Sequence, residues 1–185
     1  MSEKNTKKVT RGTASRQSRE MVVFAMLASL MLATQLAMSA LPNVHLVGVL
    51  TIVYTLVYRY KALIPIYVYV ILYGVISGFA TWWVPYLYVW TLLWGVVMLL
   101  PKKMPRGVKL VLYPTLCLLH GMAFGTLFAP VWALLHGLTF KEMLAWIAAG
   151  FGFDLVHAFG NLALGLLIYP LSELLFKLTR KYLSK

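Results

Sequence analysis

Six apolar stretches, separated by short clusters of basic residues, fill the chain from Met21 almost to its end. No other feature narrows the possible folds so far. The 185 residues are 61% hydrophobic and only 12% charged, whereas a soluble domain is about a quarter charged. A fold of this size has too little interior to hide that much apolar surface. The expected solvent is lipid. The expected fold class is all-α: a polytopic membrane protein, a bundle of six transmembrane helices with cytosolic N- and C-termini.

The apolar stretches fall near 21–41, 45–58, 62–83, 86–100, 108–136 and 154–176. They are divided by Pro42-Asn43, Arg59-Tyr60-Lys61, Val84-Pro85, Pro101 to Gly107, and a long connection over 137–153. Residues 1–20 read as a disordered basic cytosolic tail, 21–177 as the membrane domain, and 178–185 as a second basic cytosolic tail. The second and fourth stretches are short, so each needs a thinned bilayer or protein cover to span.

Charge placement sets the orientation. The chain holds 17 Lys+Arg against 5 Asp+Glu, a balance that would suit nucleic acid if the cations formed one continuous surface. They lie instead in clusters between apolar runs, so no nucleic-acid partner is expected. With six passes and an inner N-terminus, 16 of the 17 basic residues fall inside and only Lys141 falls outside, as the positive-inside rule requires. The single cysteine, Cys117, excludes a disulfide framework and a cysteine-based metal cluster. No P-loop, GxSxG or HExxH motif is present. The expectation is a protein without enzymatic activity, metal or cofactor, which would need an ion gradient or a partner to move anything uphill.

Two groups of residues stand out as candidate sites. Asp154, His157 and Asn161, at i, i+3 and i+7, share one side of the sixth helix. Asp154 is the only acid within or bordering the outer half of a span, a costly placement without a polar cavity or partner. Helix capping competes for Asp154, and interhelical hydrogen bonding competes for His157 and Asn161. The His-x-x-x-Asn spacing also occurs in rhomboid-type intramembrane proteases, but their Gly-x-Ser-Gly turn is missing. Haem would want paired histidines at matching depth; His120 and His157 are conceivable, but there is no second pair and His120 falls near mid-membrane, so haem is not expected.

The second group is aromatic. This topology puts Trp82, Trp83, Trp90, Trp94, Trp132 and Trp146 on the outer half, together with His45, His136, Asn43, Tyr86 and Tyr88. An ordinary aromatic belt decorates both interfaces, yet the inner one has tyrosines and no tryptophan. Aromatic rings with a few polar groups are suited to enclosing a small flat ligand. The expected outward-facing pocket uses Asp154, His157, Asn161, Trp90, Trp94, Tyr86, His136 and Asn43. With one carboxylate and one outer lysine, it favours a neutral or cationic aromatic heterocycle. The segment from Gly137 to Gly150 could form an interfacial helix that acts as a lid or rests passively on the bilayer.

The first helix carries a ridge of small residues, Ala25, Ser29, Ala33 and Ala37, one per turn. Such ridges let helices approach closely in lipid. Packing inside the bundle and docking of another protein are both open readings. Gly74/Gly78 and Gly121/Gly125 are expected to serve packing.

Together, the six apolar stretches, the basic tail, the small-residue first helix and the ending Asp154-x-x-His157-Ala158-x-Gly160-Asn161 resemble the substrate-binding S component of an energy-coupling factor (ECF) transporter. The resemblance spans Met21 to Lys177. It implies that residues 21–177 are a substrate-binding domain for a vitamin or similar micronutrient in a prokaryotic plasma membrane. It also implies a transmembrane coupling subunit that docks on Ala25, Ser29, Ala33 and Ala37, and two cytosolic ATPase subunits. A stand-alone secondary transporter with Asp154 and His157 as a proton relay is the alternative.

Overall fold

The computed structural model describes residues 3–183, with side chains described from Arg16 onward. Met1, Ser2, Ser184 and Lys185, at the tips of the two expected tails, lie outside the described residues. Seven α-helices make up the described chain: α1 (Glu3–Ala37), α2 (Val47–Tyr58), α3 (Leu63–Ser77), α4 (Trp83–Met98), α5 (Arg106–His136), α6 (Phe140–Gly165) and α7 (Ile168–Leu183). A 3-10 turn, Arg59–Ala62, joins α2 to α3, and no strand occurs among the described residues. Four stretches are long and apolar enough to cross a membrane: Arg16–Ala37, Val47–Ser77, Arg106–His136 and Phe140–Gly165.

The stretch Val47–Ser77 is not one straight rod. At Arg59 the backbone takes φ 55, ψ −124, which no α-helix contains. Contacts with α1 show the consequence. Lys61 pairs with Glu20, while Tyr54 on one side and Tyr73 on the other bond Leu27 and Gln35, both further along α1. Moving away from the turn in either direction leads up α1, so the chain reverses there. By the same kind of pairing, α3 and α4 are antiparallel through Tyr67–Thr91 and Trp83–Val70. The hairpin α5–α6 is antiparallel through Gly125–Asp154 and Trp132–Trp146. The helices α1 to α6 therefore alternate between two ends of a bundle. One end gathers Arg59, Lys61, Lys102 and Arg106, and is called the basic end below.

Helix α2 lies at the centre. Every residue from Val47 through Thr55 is buried, as befits a helix apolar on all sides. At about 1.5 Å per residue its 12 residues span only about 18 Å. It starts deep in the bundle, and the residues before it, including His45, are drawn inward.

Four sequence expectations need correction. The 137–153 segment is not a long connection and forms no separate interfacial lid helix. A left-handed Gly137 ends α5, and Thr139 caps α6 through a reciprocal pair with Glu142, two strong local signals that restart a helix within three residues. From there α6 runs unbroken through Gly150 and Gly152 to Gly165. The expected sixth span, 154–176, is instead split at Leu166–Leu167. Pro170 follows, and its ring is incompatible with a helical carbonyl four residues earlier. Helix is also present from Glu3 where a disordered tail was expected, because extending an existing helix costs far less than nucleating one. The C-terminal tail is likewise helical to Leu183 within α7.

Candidate functional site

The core of the candidate site is a cluster of rings where α2, α4, α5 and α6 meet. His45, just before α2, lies 4.8 Å from His157 of α6 and 5.9 Å from Trp90 of α4, between ring centroids. Trp90 lies 5.5 Å from His120 of α5. Phe124, one turn further along α5, fills the middle: 4.8 Å from His157, 5.8 Å from Trp90 and 6.0 Å from His120. Trp90 is 1% exposed and His157 2%.

The polar atoms of this cluster are poorly matched with one another. His45 Nδ1, His120 Nδ1, His157 Nε2, Trp90 Nε1 and Asn161 Oδ1 are all buried without a hydrogen-bond partner in the protein. Buried polar atoms are paired in the great majority of cases, so four orphans on contacting rings, with Asn161 one turn further along α6, are unusual. His120 Nε2 lies 3.2 Å from the Val89 carbonyl. That oxygen can only accept, so Nε2 donates and Nδ1 carries the free lone pair. The cluster thus offers an indole donor and an imidazole acceptor side by side. Among the described residues no group of three or more His, Cys, Asp or Glu is arranged to hold a metal ion.

Above the cluster, toward the end opposite the basic one, lies a cavity of about 300 Å³. Phe124, Phe128, Trp132 and Trp146 form its aromatic walls, and Asp154 and Asn43 its polar groups. Phe124 is common to the cavity and the cluster. Asp154 is held by the Gly125 backbone N–H at 3.0 Å, and Asn43 donates to the Phe153 carbonyl at 3.4 Å. A second file of rings, Tyr69–Tyr73–Tyr86–Trp90, reaches the same cluster from α3 and α4 at centroid spacings of 5.8, 5.9 and 5.5 Å.

The close packing behind the site depends on small residues. A Cβ on Gly121 would meet Asn161 Nδ2 at 2.8 Å and the Ala158 backbone at 3.0 Å. A Cβ on Gly165 would meet Pro114 Cα at 2.8 Å. The Gly121/Gly125 pair serves α5–α6 packing, which draws Asn161 close enough to donate to the Cys117 carbonyl at 3.2 Å.

Asp154, His157 and Asn161 do share the buried face of α6, and Trp90 and Tyr86 join them. Asn43 lies at the cavity rim. Two expected residues do not belong. Trp94 donates from Nε1 to the Arg59 carbonyl at 3.1 Å, which puts it at the basic end; the placement of all six tryptophans on the far half is corrected to that extent. His136 stacks on Trp132 at 3.9 Å at the exposed tip of α5, outside the cavity lining. His45, His120 and Phe124 were not among the expected pocket residues. The two histidines carried the signal of uncommon polar residues in apolar surroundings, while Phe124 carried none.

On α1, Phe24, Leu27, Ala28 and Met31 face the bundle, whereas Ala25, Ser29, Ala33 and Ala37 are all exposed. Packing within the chain is therefore not what this ridge does. No family model, curated protein or solved structure matches the chain.

Proposed function

We propose that this protein is the membrane-embedded substrate-binding subunit of an importer, of the kind its resemblance to ECF S components implies. In this reading α1 to α6 cross the bilayer, the basic end and both termini are cytosolic, and α7 lies along the inner interface. The aromatic cavity then faces outward and takes a small, flat heterocycle of the vitamin class. One observation carries the reading: four orphaned buried ring nitrogens cluster beside an aromatic-walled cavity toward the end opposite the basic one.

The chemistry of the ligand follows from the groups present. Trp90 Nε1 can donate to a ring nitrogen or carbonyl, His120 Nδ1 and Asn161 Oδ1 can accept from ring N–H or amino groups, and the walls supply stacking surface. Asp154 adds one carboxylate, which favours a neutral or cationic ligand over an anionic one. A cavity of about 300 Å³ sits at the small end of the usual range, which suits a compact ring system. A rotation of the shared Phe124 ring would let the ligand reach the histidines.

The exposed ridge Ala25, Ser29, Ala33 and Ala37 would take the transmembrane coupling subunit, with two ATPase subunits supplying energy. The test is a thermal-shift screen of the purified chain against vitamins and their precursors, followed by uptake in proteoliposomes. A heterocycle should raise the midpoint of the wild type and not of Trp90→Phe. Uptake should require the coupling and ATPase subunits. Uptake by the chain alone under a pH gradient would establish the secondary-transporter alternative instead, and tight binding of a dianion would sink the proposed ligand class.

A further inference from the structure

At the opposite end of the bundle a second cavity, of about 460 Å³, lies between the α2–α3 turn, the α4–α5 connection, α5 and α7. Arg59, Lys102 and Lys109 line it from three separate elements, against one carboxylate, Glu173. Among the described residues no ion pair joins any of the three cations to an acid, the Lys61–Glu20 pair lying outside this lining. Arg59 is held in place on both sides of its Cα. Its carbonyl accepts from Trp94 Nε1 at 3.1 Å, and its guanidinium donates from Nη2 to the Met98 carbonyl at 2.8 Å. This is also the residue whose φ of 55 reverses the chain. One guanidinium N–H is spent on Met98; the others remain for a ligand. Tyr113 adds a phenolic ring and hydroxyl to the lining.

The remaining wall is apolar. Leu56 and Val57 of α2, Pro101, and Phe176 of α7 form it, with Ser172 the one further polar residue of the lining; Phe176 is half exposed. Convergent cations beside an apolar wall match a group that is anionic at one end and greasy at the other. We infer that this cavity binds the phosphate of an anionic phospholipid headgroup, with Arg59 and Lys109 on the phosphate oxygens and the acyl chains along Phe176. The Arg fork and a lysine together satisfy phosphate well, and basic pockets between membrane helices are suited to headgroups. Glu173 gives selectivity among anionic lipids. Its carboxylate repels a second phosphate charge but accepts hydrogen bonds from headgroup hydroxyls, so phosphatidylglycerol fits better than a phosphomonoester lipid.

The site is independent of the transport reading and can be tested without its ligand. The delipidated full-length protein is titrated with phosphatidylglycerol, phosphatidylcholine or inorganic phosphate and examined by native mass spectrometry. Phosphatidylglycerol should persist as a single adduct where phosphatidylcholine leaves none. Lys102→Gln with Lys109→Gln should weaken it about tenfold or more, as loss of charged hydrogen bonds implies, with the thermal midpoint unchanged. Arg59→Gln should do the same if it folds. Lys177→Gln with Lys181→Gln, which removes equal charge outside the cavity lining, should leave binding intact. Equal loss in both double variants, or no preference over phosphatidylcholine, would overturn the site. Displacement by millimolar inorganic phosphate would overturn the lipid as its source.

Discussion

Asp154 and Gly125 are joined across the α5–α6 interface, the carboxylate accepting the glycine N–H at 3.0 Å. The approach is possible only because Gly125 lacks a side chain: a Cβ there would overlap Asp154 Oδ2 and lie 3.1 Å from its Cγ. Gly125→Ala should therefore push the carboxylate away and cost about 1–3 kcal/mol, the usual penalty of overpacking. Gly150 on α6 has nothing within 4 Å of its would-be Cβ. Gly150→Ala should gain up to about 1 kcal/mol from helix propensity. Thermal unfolding in detergent compares the two, and matching midpoints would remove the close contact.

The centre of α2 makes a prediction of opposite sign. Thr51 Oγ1 is buried without a partner, while Thr55 Oγ1 donates to the Thr51 carbonyl at 2.6 Å. Valine has nearly the shape of threonine. Thr51→Val removes an unsatisfied hydroxyl and should stabilise the protein by about 1 kcal/mol, whereas Thr55→Val breaks a bond and should destabilise it by about as much. Denaturant titration of both variants reads the difference. A fall in stability for both would mean that the Thr51 hydroxyl is paired in solution.

The start of α6 rests on the Thr139–Glu142 capping box, in which Thr139 N–H donates to Glu142 Oε2 at 2.8 Å and Glu142 N–H to Thr139 Oγ1 at 3.3 Å. Thr139→Ala should cost about 0.5–2 kcal/mol. Because the cap is exposed, the loss should appear as fraying of the first turns and not as global unfolding. Hydrogen exchange should accelerate over 140–146 and stay unchanged near Asp154. Uniform acceleration along α6 would count against a local cap.

These features divide what a sequence displays from what only packing creates. The apolar runs and the basic clusters dictate helices and their alternation, and the i, i+3, i+7 spacing places Asp154, His157 and Asn161 on one buried face. Sequence and structure part where a short local signal interrupts a longer hydropathy pattern. Thr139-x-x-Glu142 is a plain capping box, and it starts a membrane-length helix inside the segment that the apolar pattern marks as a connection. Pro170 lies inside an apolar run, and hydropathy alone does not show the break it imposes just before it. His45 and His120 are far apart in sequence and on different elements. Their meeting at Trp90 depends on how deep α2 begins, which no periodicity encodes. Trp94 shows the converse error, since a position within a stretch gives only a coarse depth when the helix is 16 residues long.

The ridge on α1 offers the sharpest separation of stability from partnership. Ala33 and Ala37 are exposed, and Ala28, on the other face of the same helix, is 0% exposed. Ala28→Leu must insert extra methylenes into a filled core and should cost about 1–3 kcal/mol. Ala33→Leu with Ala37→Leu meets no such wall, and leucine is a good helix former, so the thermal midpoint should hold. If the ridge is a docking face, the same double change prevents close backbone approach by another helix. Co-purification of coupling and ATPase subunits with the chain should then be lost, while ligand-induced stabilisation survives. Retention of the complex with leucines at both positions would move the docking face off α1. A drop in the midpoint comparable to that of Ala28→Leu would show that the ridge packs within the chain after all.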